Sequence, residues 1–86
     1  NYMISDYLQG IFWAELGMRV FNSNATEKEI DAAKEFAMQV IESQIEDNPA
    51  LTKTEKDENK RQLKIWSDSV IRGFKDALRS RGRLSD

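Results

Sequence analysis

Apolar residues recur along this chain at spacings of three and four, and nowhere alternate with polar ones over the length of a strand. A period near 3.6 marks amphipathic helices, and a period of two marks half-buried strands. The pattern therefore predicts an all-α chain with helices over residues 2–20, 27–46 and 53–81.

The second and third helices carry explicit start signals. Thr26-Glu27-Lys28-Glu29 and Thr52-Lys53-Thr54-Glu55 both read T-x-x-E, the pattern in which threonine and glutamate satisfy each other's orphan amides. Asp47-Asn48-Pro49 stops the second helix, because proline bars the preceding residue from the helical conformation. Gly82, after Arg79 and Arg81, suits the position just past the third. Ile30, Ala33, Ala37, Val40, Ile41, Gln44 and Ile45 make the expected inner face of helix two. Leu63, Trp66, Val70, Phe74, Ala77 and Leu78 make that of helix three, whose polar opening should overhang the bundle or lie on its surface. The expected architecture is a single domain, a three-helix bundle. Helices two and three form an antiparallel hairpin and helix one packs across it, alone or completed by dimerisation.

Helix one is apolar nearly all round. Ile4, Tyr7, Leu8, Ile11, Ala14, Met18 and Phe21 share one side and read as its core line. Phe12, Trp13, Leu16 and Val20 spread over the other side. They read as a surplus patch that a three-helix monomer cannot easily cover, and Phe36 and Ile65, off their own core faces, extend it. Exposed apolar patches of several hundred square ångströms mark partner surfaces. Gly10, Ala14 and Gly17 add a row of small residues on one side, where another backbone could approach closely.

Composition narrows the chemistry. Among 86 residues there is no histidine and no cysteine. That excludes thiolate nucleophiles, histidine-based triads, imidazole or thiolate metal ligands and disulfides. The adjacent acids Glu46-Asp47 and Asp57-Glu58 lack the order of a calcium loop, and the isolated glycines resemble no phosphate loop. Glu15, the one carboxylate on an apolar face, has Arg19 four residues on, a spacing that pairs them. The expectation is a protein that is not an enzyme and needs no cofactor or metal.

Net charge is −2, unevenly divided: residues 1–47 carry three basic against nine acidic groups, and residues 48–86 ten against six. On helix three Arg61, Lys64, Arg72, Lys75 and Arg79 share one face, the stripe that phosphate binding would want. Asp68 and Asp76 interrupt it and no exposed aromatic interleaves with it. No stretch reaches the roughly 18–20 apolar residues of a membrane span. Lack of cysteine suits a reducing or an oxidising compartment, so cytoplasm, slightly favoured, stands beside periplasm and exterior. The functional expectation is a small adaptor, chaperone-like factor or immunity-type inhibitor. It would bind a protein, or itself as a homodimer, through Phe12, Trp13, Leu16, Val20, Phe36 and Ile65. The alternative is a nucleic-acid-binding regulator using the basic face.

Overall fold

The computed structural model describes residues 5–20 and 25–85, and for 18–20 and 85 the backbone alone. The chain is all-α, with three helices packed as a bundle: α1 (Asp6–Val20), α2 (Glu27–Glu46) and α3 (Lys53–Ser80). Two two-residue strands, β1 (Ala25–Thr26) and β2 (Leu84–Ser85), pair in parallel, with Ala25 opposite Leu84. No strand was expected from the sequence; two residues are too few to display a period. The pair ties the end of the chain to the start of α2, and Ala25 N–H donates to the Arg83 carbonyl at 3.2 Å.

The helix ends follow from local chemistry. In α2 the Glu29 amide donates to Thr26 Oγ1 at 3.0 Å while Glu29 Oε1 accepts from the Thr26 amide at 2.8 Å. In α3 the Thr52–Glu55 box is closed at 3.1 and 2.8 Å. Each box is worth on the order of 1 kcal/mol. After α2, Asn48 Oδ1 accepts from the Ala50 amide at 2.9 Å, turning the chain toward α3. At the end of α3 the Arg83 amide reaches back to the Leu78 carbonyl and the Gly82 amide to that of Arg79. That is a Schellman motif, and it needs the left-handed backbone of Gly82, at φ 69°.

Helix one begins later than its apolar pattern implies. Ser5 stands outside the helix and its Oγ accepts from the Leu8 amide at 3.3 Å, so the helix opens at Asp6. Residues 1–4, where the sequence places its start, lie outside the described residues.

The larger correction concerns which side of helix one faces the core. Phe12 and Leu16 are fully buried. On the expected core line Tyr7 is 68% exposed, Ala14 is exposed, and Leu8 and Ile11 are half-buried. The centre of the buried face thus shifts to Phe12 and Leu16, with Leu8, Ile11 and Trp13 packed at its edges, and aromatic packing supplies a reason. The Phe12 ring meets Trp66 of α3 edge-on at 5.0 Å and Trp13 at 5.8 Å, and Trp13 meets Phe74 at 6.0 Å. Edge-to-face contacts of this kind add about 0.5–1.5 kcal/mol each beyond area burial.

Around this cluster the core holds Ile30, Ala33, Ala37, Met38, Ile41 and Ile45 from α2 and Leu63, Ile71 and Leu78 from α3. Met38 and Ile71 lie beyond the stripes expected from the sequence, whereas Gln44 and Ala77, within those stripes, are exposed. Helix three is buried on two sides. Trp66 and Phe74 meet α1, while Ile71 lies beside Asp31 and Lys75 at the α2 contact. A single stripe drawn through the aromatics captures only the first side. Ser67 is the one buried polar residue among those described, and its hydroxyl donates to the Lys64 carbonyl at 3.1 Å.

Candidate functional site

With Phe12 and Leu16 inside, the surface of α1 is a different set of residues. Tyr7, Gly10 and Ala14, spaced by three and four, point outward and are uncharged, and exposed Asp6, four residues before Gly10, borders them at the first turn. A side chain added at Gly10 would meet nothing within 4 Å. Nothing in the described fold therefore requires a glycine there, and it costs up to about 1 kcal/mol against alanine in a helix interior.

Of the other residues singled out in the sequence, Trp13 is half-buried against Phe74. The Val20 and Arg19 side chains lie outside the described residues. Phe36 and Ile65 are exposed at 47% and 49%. Ile65 lies on the charged side of α3 among exposed Arg61, Lys64 and Arg72.

Beside the α1 surface, a groove of about 490 Å³ opens where the first turn of α1 meets the α2–α3 connection. Tyr7, Leu8, Ile45, Pro49 and Leu51 supply its apolar lining. Sequence reading missed it, because its walls come from three separated segments. The signal present was Leu51, an apolar residue between a proline stop and a capping box.

The basic face of helix three is largely engaged by carboxylates. Lys75 Nζ donates to Asp31 at 2.7 Å and lies 3.4 Å from Glu27. Arg79 bonds Asp76 at 3.0 Å and reaches Glu27 at 3.5 Å. Arg61 holds Glu58 at 2.6 Å, and Lys64 lies 3.6 Å from Asp68, which also accepts from Lys34. Arg72 stands exposed, without an ion pair among the described residues. The recess it borders is lined by Lys34, Lys75 and Arg79 but also by Glu27, Asp31, Asp68 and Asp76. Its charges balance, which does not favour a polyanion.

These pairs leave a pH signature. Hydrogen bonds from Lys34, Lys60 and Arg61 hold Asp68, Glu46 and Glu58 below their ordinary pKa values, Glu58 at about 2. Bonds to Glu46 and Asp31 raise Lys60 and Lys75 above 10.5. The carboxylate contributions are present above the ordinary carboxylate range and are lost as pH falls through the lowered values. The lysine contributions are present below 10.5 and are lost as pH rises through the raised values. With no histidine to titrate between, the urea midpoint should be flat from about pH 5 to 9 and fall below about pH 4. A step between pH 6 and 8 would contradict this.

Among the described residues no helix is long and apolar enough to cross a membrane, and no group of three or more acidic side chains gathers as a metal site. Comparison with protein families, with curated proteins and with solved structures finds no match to this chain.

Proposed function

We propose that this protein is a small non-catalytic protein-binding module, of the adaptor, chaperone-like or inhibitor kind, that works through the outward face of α1. The observation that carries the reading is the outward surface of Tyr7, Gly10 and Ala14, uncharged apart from exposed Asp6 at its first turn. It combines a tyrosine 68% exposed with a helical glycine that the fold does not require. Tyrosine is a frequent interface anchor, and small residues allow a second helix to approach closely. The lack of histidine and cysteine supports the non-catalytic part of the reading. The first partner is a second copy of the chain, since such a face can meet its own copy antiparallel about a two-fold axis, which keeps the Asp6 carboxylates at opposite ends.

The same reading makes α2 and α3 an antiparallel hairpin with α1 across it. Ion pairs support it: Glu46–Lys60, Lys34–Asp68, Asp31–Lys75 and Glu27–Arg79 run down one helix as they run up the other.

Gly10→Ala separates function from fold. Its urea midpoint should rise, by up to about 1 kcal/mol in stability, while its self-association weakens. Size-exclusion chromatography with light scattering over a concentration series should give the wild type twice its 10.0 kDa chain mass and the variant a concentration-dependent decline toward one. A wild type of single-chain mass at every concentration would remove the second copy as partner.

A further inference from the structure

The groove at the foot of α1 has a chemical character of its own. Its lining is apolar on Tyr7, Leu8, Ile45, Pro49 and Leu51, and its volume of about 490 Å³ is that of a ligand cleft rather than a packing defect. Among its described lining residues one is charged, Asp47, and none is basic. Helix α2 ends there without a basic residue in its last turn, so the negative end of its dipole is uncompensated. Residues 5–10 and 42–62, which form this end of the bundle, carry seven carboxylates against four cations. Two of those cations, Lys60 and Arg61, are already held by Glu46 and Glu58 at 2.8 and 2.6 Å. A cleft whose apolar wall is bordered by the neutral polar Ser5, Gln44, Asn48 and Asn59 and by the carboxylate of Asp47 selects against acidic ligands and for an apolar group flanked by positive charge.

We propose that this groove receives the apolar side chain of a cationic amphipathic segment of a partner protein, with a lysine or arginine beside the anchor meeting Asp47 and the carbonyl end of α2. The proposal rests on the reading of the chain as a protein-binding module and adds the chemistry of the partner. The groove shares Tyr7 with the outward face of α1, while Asp47 and Leu51 belong to the groove and not to that face. Helix-in-groove recognition of this type places apolar anchors at helical spacing with charges between them.

The test uses the full chain and a fluorescent twelve-residue probe peptide in which leucines recur at helical spacing among lysines. A second probe has every lysine replaced by glutamate. Anisotropy titrations should show the lysine peptide binding the wild type and the glutamate peptide failing to bind. Asp47→Lys is the decisive variant. The Asp47 side chain is exposed and makes no hydrogen bond among the described residues, and a lysine there complements the helix dipole. Its thermal midpoint should hold or rise while affinity for the lysine peptide falls at least tenfold. Leu51→Ser should lower affinity comparably, and Ser69→Ala, exposed on α3 away from the groove, should leave it unchanged. Failure of the lysine peptide to bind the wild type overturns the proposal. Equal binding by wild type, Asp47→Lys and Leu51→Ser also overturns it, because attraction is then general to the acidic surface. Loss of self-association in Gly10→Ala with peptide binding intact would leave both readings standing. Peptide binding without any self-association would retain the groove and remove the second copy as the α1 partner.

Discussion

Phe12→Ala is expected to cost about 3–5 kcal/mol, the usual range for removing a fully buried phenylalanine. The ring is completely enclosed and makes edge-on contacts with Trp13 and Trp66, so the cavity has stiff aromatic walls that collapse poorly. Stability of a domain is only about 5–15 kcal/mol, and a chain of 86 residues belongs near the lower end. Urea denaturation followed by circular dichroism should therefore show the variant largely unfolded or close to it at room temperature. A loss below about 1 kcal/mol would mean that α1 does not carry the core as described.

Leu16→Glu should be more damaging still, and its neighbour on the opposite face should be almost silent. Leu16 is 1% exposed and belongs to the apolar core cluster. A carboxylate there must be desolvated unpaired or stay protonated, a penalty of about 3–5 kcal/mol or more. Ala14→Glu places the same side chain on the outward face, where surface substitutions stay within about 0.5 kcal/mol. Circular dichroism at neutral pH should find Leu16→Glu without cooperative helix and Ala14→Glu folded like the wild type. Two tolerated substitutions, or the reverse order, would restore the orientation of helix one that its apolar pattern suggested.

That orientation is where sequence and structure part. The boundaries of α2 and α3 are legible because each rests on local chemistry: a T-x-x-E box, a proline stop, a glycine in a left-handed cap. Their inner faces are legible in outline, since Ile30, Ala33, Ala37, Ile41 and Ile45 recur at one period and little on the other side competes. Helix one offers no such contrast. With apolar residues on both sides, periodicity cannot say which side turns inward. The answer lies in tertiary fit, where Phe12 and Trp13 find Trp66 and Phe74 more than fifty residues away in the sequence.

The candidate surfaces follow the same division. A helical glycine at position 10 and a small residue at 14 were visible as a row, but their exposure depended on the orientation of α1. The groove depends on three segments meeting, and no single stretch announces it. The basic face of α3 was visible as a stripe. Its engagement by Glu27 and Asp31 of α2 arises only once the two helices lie side by side, which turns a cationic surface into an ionic seam.

In the proposed arrangement α1 builds the core with one face and meets a partner with the other. Site-specific photo-crosslinking tests it most directly, with a benzophenone side chain placed at position 14 on the outward face of α1 and, separately, at exposed position 69 on α3. The account predicts a two-chain adduct from position 14 and none from position 69, with the adduct lost when Gly10→Ala is added. No adduct from position 14, or equal yields from both positions, would contradict it.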